Sequence, residues 1–192
     1  EFVVHPSVGK WLIGIGIKIF GFNEFGWRFA SALIGSLSVT LMYFTAKKLF
    51  NSEFTSISAA FLILVDGLHL VHSRVALLDI FLMFFVQIAV LAILHKKYWL
   101  AGFALGLACS TKWSGLYFLV ALGLLVLLFD WLRQRYLGNE SPLSEVLIFE
   151  LPKRFLQFGL LPIATYLATW IGWFPSSNGW GRNSSTKDRK ST

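Results

Sequence analysis

The chain has 192 residues, 56% of them hydrophobic and 14% charged, with a formal net charge of +7. A soluble domain is about a quarter charged; this apolar excess cannot be buried in one small globular core, so the composition points to an integral membrane protein. The cations lie at the ends of apolar runs, not in a basic domain, which sets nucleic acid aside as a partner, and the single Cys109 excludes an internal disulfide and a multi-cysteine metal site.

No charged-then-apolar signal segment precedes Phe2-Val3-Val4, and the first residue is Glu1, as expected of a fragment whose true N-terminus lies upstream. Residues of about 7–20 hold Lys10 and Lys18 within a short apolar run, which suits a helix lying in the membrane interface. Runs of spanning character follow. The first covers about 27–46 and ends at Lys47-Lys48. The second, about 54–71, leads into a polar cluster. The third, about 75–94, ends at His95-Lys96-Lys97, and the fourth, about 98–111, is short. The fifth, about 113–132, ends in Arg133 and Arg135. After the polar loop from Gly138 to Pro142 comes a sixth, about 155–174. The expectation is an all-α polytopic membrane protein of about six transmembrane helices, with a membrane domain over 1–182 and a polar tail over 183–192. Gly102 and Gly106, with Ala101, Ala104 and Ala108, give the fourth run a small-residue face suited to close helix packing.

Short-loop cations set the orientation. Lys47, Lys48, Lys96, Lys97, Arg133, Arg135, Lys153 and Arg154 gather on one side, read as cytoplasmic. The opposite side carries Lys10, Lys18, Arg28, Arg74 and Lys112, together with the tail cations, and Trp11, Trp27, Trp113, Trp170 and Trp173 sit at its level as an aromatic belt would.

The segment from Asp66 to Asp79 concentrates chemistry. It holds Asp66, His69, His72, Arg74 and Asp79 in otherwise apolar sequence. Ionisable groups at membrane depth cost roughly 2.5–3.5 kcal/mol each, so they usually face a bundle interior or a wet cavity and mark a site. Arg74 is either a snorkelling or carboxylate-paired cation, or an anion clamp whose planar fork matches phosphate oxygens. Lys112, in Ser110-Thr-Lys-Trp-Ser-Gly115, is the second candidate cation, with hydroxyls from Ser110, Thr111 and Ser114 beside it. Asp79 suits a structural partner of a cation. Asp66, next to Gly67 at a helix break, suits either a partner or a general base. His69 and His72 lie three apart and could share a face with Asp66; a metal site is not expected there. His5-Pro6 reads as a helix start.

Three stretches resemble the bacterial protein O-mannosyltransferases. His5-Pro-Ser-Val-Gly-Lys-Trp11, then Gly26-Trp27-Arg28 and Ala32-Leu33, is similar to that family's His-Pro-Pro-Leu-Gly-Lys-Trp … Gly-Trp-Arg … Ala-Leu pattern, with Ser7 in place of the second proline. Ser73-Arg-Val-Ala-Leu-Leu-Asp79 is similar to its Ser-Arg-x-x-Leu-Leu-Asp segment, and Thr111-Lys-Trp-Ser-Gly-Leu-Tyr117 to its Thr-Lys-Trp-Ser-Gly loop. The resemblance runs to about residue 182 and implies a polytopic glycosyltransferase of the GT-C type. Such an enzyme uses polyprenyl-phosphate mannose as donor and no cofactor. It mannosylates Ser or Thr of exported proteins at the external face of the cell membrane, with membrane lipid and the export machinery as further partners. The resemblance places the catalytic acidic pair upstream of Glu1, so the chain reads as a central fragment, inactive alone, with Asp66 the only in-chain substitute base. Arg74 and Lys112 are then the donor-phosphate ligands, supported by Asp79, Ser110, Thr111 and Ser114; His5, His69 and His72 are candidates for the acceptor side. A transporter or lipid carrier, and a non-catalytic remnant, are the competing readings.

Overall fold

The computed structural model describes residues 5–172. The polar tail 183–192, Trp173 of the aromatic belt and the end of the sixth apolar run lie outside the described residues. Regular structure among the described residues is helical throughout.

The N-terminal helix α1 (Val8–Phe20) is followed by the long α2 (Glu24–Phe50), whose N-cap Asn23 accepts a hydrogen bond from the Gly26 amide at 2.9 Å. Asn51 closes α2 in the left-handed region, φ 49°, as asparagine at a helix end readily does. Next comes α3 (Glu53–Val65), capped by Ser52 and clasped to α2 where Glu53 accepts from Lys47 and Tyr43, each at 2.7 Å. A 60° break at Asp66 separates α3 from α4 (Gly67–Arg74). An apolar hairpin follows, α5 (Leu78–Leu94) and α6 (Tyr98–Cys109), and then α7 (Gly115–Tyr136).

The last element is one rod in five segments: α8 (Pro142–Glu145), a π-helical turn (Val146–Glu150), α9 (Leu151–Phe155), a second π turn (Leu156–Leu160) and α10 (Leu161–Ala168). Each π turn ends two residues before a proline, Pro152 or Pro162. Proline has no N–H to donate and its ring strikes the carbonyl four residues back. Widening the helix just ahead of it accommodates the ring without ending the rod.

The rod carries the sixth apolar run, but it starts at Pro142, and Arg154 lies inside it, buried. Arg154 therefore does not stand as a free loop cation.

Packing differs from that of a soluble bundle in carrying small polar groups inside and large apolar side chains outside as well. Ser31, Ser38, Ser56, Ser110 and Thr111 are fully buried at 0% exposure, whereas Phe54, Ile57, Phe61 and Leu62 of α3 face outward. Small polar groups inside and large apolar groups outside are what a lipid solvent selects. Two apolar cores form, one around Phe81 and Phe85 between α1, α2 and α5, the other around Leu105 and Val126 between α5, α6 and α7. The small face of α6 meets the rod. A Cβ on Gly102 would strike the Gln157 carbonyl, and one on Gly106 would lie 2.7 Å from the Thr165 Cβ.

At ~1.5 Å per residue the 27 residues of α2 reach about 40 Å, enough to cross a bilayer core of about 30 Å. Two helices, α2 and α7, are long and apolar enough to cross, and the bent pair α3–α4 makes a third if taken as one span; α5 and α6 are shorter. Helix length among the described residues thus stops short of the six spans expected from the apolar runs.

Candidate functional site

One end of the bundle collects the N-terminus of α1, the α3–α4 break, the start of α5 and the α6–α7 turn. The α1 start is pinned there. The Val8 amide donates to the Ser110 carbonyl at 3.1 Å, the Ser7 hydroxyl donates to the Thr169 carbonyl at 3.1 Å, and Pro6 is fully buried. Gly9 packs directly on Leu78 and Thr111, so the glycine of the Gly-Lys-Trp stretch sits where a side chain would collide. This anchoring leaves His5 half-buried beside Pro6.

A pocket of about 200 Å³ opens at this end, lined by Asp66, His69, His72 and Asp79 against Ile63, Leu68, Ile80 and Met83. Four of the polar residues singled out in the sequence thus converge. Asp66 is held by local geometry: it caps α4, its Oδ2 accepting from the His69 amide at 2.7 Å. Its exposed side chain leaves Oδ1 open. The His69 ring is buried and its Nε2 lies 3.2 Å from the Gly35 carbonyl of α2. His72, one turn on, is half-buried at the pocket wall.

Asp79 binds Lys112, not Arg74. The Lys112 Nζ donates to Asp79 Oδ1 at 2.7 Å, in a partly exposed ion pair that ties the α6–α7 turn to α5. Lys112 thereby stands next to the pocket through its carboxylate partner. Arg74 is exposed at the C-terminal end of α4, carries no ion pair among the described residues, and is not part of the pocket lining.

The hydroxyls beside Lys112 are occupied. Ser110 donates to the Gly106 carbonyl at 2.8 Å and Thr111 to the Leu107 carbonyl at 2.9 Å, both fully buried. Such back-bonding to a preceding turn commits the proton, so neither hydroxyl has one to offer an anion in this arrangement. Ser114 is half-buried just ahead of α7.

Sequence reasoning missed a second ionic centre at the other end. Arg154 donates through Nε and Nη2 to both carboxylate oxygens of Asp130, at 2.7 and 3.0 Å, and through Nη1 to Gln157 at 2.9 Å. Glu150 lies 3.5 Å away, and the guanidinium covers the Tyr98 ring at 3.9 Å from its centre. The signal was present: Glu150, Arg154 and Gln157 recur at helical spacing, and Asp130 falls within the apolar α7. Among the described residues no three His, Cys, Asp or Glu side chains converge as a metal site needs.

Comparison with known proteins identifies the family. The dolichyl-phosphate-mannose-protein mannosyltransferase family matches residues 6–172. A polyprenol-phosphate-mannose–protein mannosyltransferase of Mycolicibacterium smegmatis is 36% identical over 94% of this chain, and one of Mycobacterium tuberculosis 38% identical over 94%. The chain spans 41% and 40% of the length of these two relatives. The fold is similar to that of the S. cerevisiae protein O-mannosyltransferase Pmt1–Pmt2 complex bound to the sugar donor, with a TM-score of 0.76 and 26% identity, covering 90% of this chain and 27% of the yeast one. The chain is a helical membrane protein of the GT-C type and belongs to the dolichyl-phosphate-mannose-protein mannosyltransferase family.

Proposed function

We propose that the protein transfers mannose from a polyprenyl-phosphate carrier to Ser or Thr hydroxyls of exported proteins, and that this stretch supplies the donor-phosphate side of the site. The observation that carries the reading is the pocket of Asp66, His69, His72 and Asp79, with Lys112 bonded to its Asp79 wall, in a chain of this family. The relatives' names give the donor and a protein acceptor. This kinship supports chemistry over the transporter and lipid-carrier alternatives.

The leaving group is a phosphate, an anion anchored at the membrane face by its prenyl tail. Fixed cations aimed at it stabilise the charge that develops as the sugar departs. Lys112 is kept in place by Asp79 and can share its three protons between that carboxylate and a phosphate oxygen. Arg74 offers a fork to two oxygens. The acceptor hydroxyl needs a carboxylate base, which the family resemblance assigns to an acidic pair upstream of His5. The site faces the outside of the cell membrane, with the Lys47, Lys97 and Arg133 end cytoplasmic, and the remaining apolar runs complete the spans around it. His5, His69 and His72 lie on the acceptor side, where an exported chain arrives.

The test is transfer of radiolabelled mannose to a Ser/Thr peptide in membranes holding the full gene product. Arg74→Ala is expected to lower kcat about ten- to a hundredfold, the loss of a charge-assisted bond of roughly 1.5–3 kcal/mol. Arg74→Lys should fall between it and the parent. Lys112→Ala should act in the same direction, and the double variant less than additively. Near-parent rates for Arg74→Ala would return Arg74 to the role of a snorkelling cation.

A further inference from the structure

We propose that His69 is a positioning residue: its ring N–H, bonded to the Gly35 carbonyl, seats α4 on α2 and so fixes where His72 and Arg74 stand. The functional half of this inference rests on the transfer reading above; the structural half does not.

The contact is long-range and buried. His69 is 8% exposed, and its Nε2 reaches a carbonyl 34 residues earlier in the chain, at 3.2 Å. A carbonyl accepts, so the proton is assigned to Nε2. The carbonyl belongs to a glycine for a steric reason. Ser73 lies directly on Gly35, and a Cβ there would sit 2.7 Å from the Ser73 Cβ. Ser73 in turn donates to the His69 carbonyl at 2.8 Å, and the His69 amide is capped by Asp66 at 2.7 Å. One residue therefore joins the cap, the helix and the neighbouring helix.

The element it holds needs holding. Eight residues make two turns, too few to be stable alone. The 60° break at Asp66 prevents α3 from supporting α4 end to end, and α4 leans chiefly on α2. The ring is buried, so removing its N–H leaves the contact with α2 unmade. The alternative, that His69 merely fills space, makes a different prediction. The Gly35 carbonyl lies within α2, so an apolar residue of similar size at 69 would be tolerated.

Both halves can be read in one set of variants of the full gene product. Native cysteines, Cys109 among them, are replaced by Ala, and nitroxide labels are placed through cysteines at Lys48 on α2 and Leu70 on α4, both exposed. The parent and His69→Gln, whose amide N–H can reach the same carbonyl, are expected to give one narrow inter-label distance. His69→Leu should broaden or shift it. In the same variants kcat for mannose transfer should fall about 10- to 100-fold for His69→Leu, the scale of a misplaced binding group, with KM little changed, and recover in His69→Gln. If His69→Leu does not insert, Gly35→Ala, which lifts α4 off α2, carries the same expectation. A parent-like distance in His69→Leu, or in Gly35→Ala where that variant stands in, overturns the seat, as does a His69→Gln that behaves like His69→Leu. Absence of transfer in the parent itself overturns the transfer reading and the functional half built on it, while the distances still decide the seat.

Discussion

At the scale of single residues, Asp66 shows how one carboxylate can carry two meanings. In the sequence it is an acidic group beside Gly67 at membrane depth, suited to a base or to an ionic partner. In the fold its Oδ2 is taken by the His69 amide, where it caps α4. The two roles separate in substitution. Asparagine caps a helix about as well as aspartate, whereas alanine forfeits roughly 0.5–2 kcal/mol. Asp66→Asn is therefore expected to keep both thermal stability and transfer, and Asp66→Ala to lose stability first, measured as the melting temperature in detergent and the rate in membranes. An Asp66→Asn protein that is stable but inert would make Asp66 the base. The pairing of Asp79 with Lys112, not with Arg74, is a second case. The nearer cation in sequence, Arg74 at the C-terminal end of α4, makes no ion pair among the described residues, while the α6–α7 turn brings Lys112 to 2.7 Å across 33 residues.

Among the elements, the segmented rod carries the least expected physics. A π turn precedes each of its two prolines, and the rod presents Arg154, flanked by Glu150 and Gln157 on the same helix, to Asp130 and Tyr98. The Arg154 and Asp130 side chains are 10% and 7% exposed, so removing one partner strands a charge in a dry interior. Arg154→Met alone should destabilise by about 3–5 kcal/mol, whereas Arg154→Met with Asp130→Leu should recover most of the loss, because an apolar pair of similar volume replaces the ion pair without a desolvation cost. Chemical unfolding in mixed micelles reads both. Equal losses in the single and double variants would mean that packing of the rod, not charge pairing, holds this end.

The whole molecule separates two polar ends by an apolar middle. One end holds the Asp66–Asp79 pocket with Lys112; the other holds the Glu53 clasp, Lys96-Lys97 and the Arg154 network. The cation excess at the second end sets the proposed orientation. In a cysteine-free background of the full gene product, a cysteine at Ser114 should react with a membrane-impermeant thiol reagent added outside intact cells, and one at Lys97 should react only after permeabilisation. The reverse pattern would turn the site toward the cytoplasm and exclude exported proteins as acceptors.

How much of this was legible in the sequence follows from the range of the forces involved. Helix content, the break at Asp66 and the small face of α6 depend on a few neighbouring residues and on apolar periodicity, so they can be read locally. The family could be read as well, because His5–Trp11, Ser73–Asp79 and Thr111–Tyr117 are contiguous motifs. Which carboxylate holds which cation could not. Asp79 with Lys112, Asp130 with Arg154 and His69 with Gly35 are set by how helices lie against each other, and that depends on where glycine or a proline-widened turn lets two backbones approach. Sequence alone determined that this chain is a helical membrane protein with an ionic cluster in the manner of a mannosyltransferase; only the tertiary structure decided which of those ions face the pocket and which are spent holding helices together, because an ion pair at membrane depth forms wherever packing brings opposite charges within reach, whatever their separation along the chain.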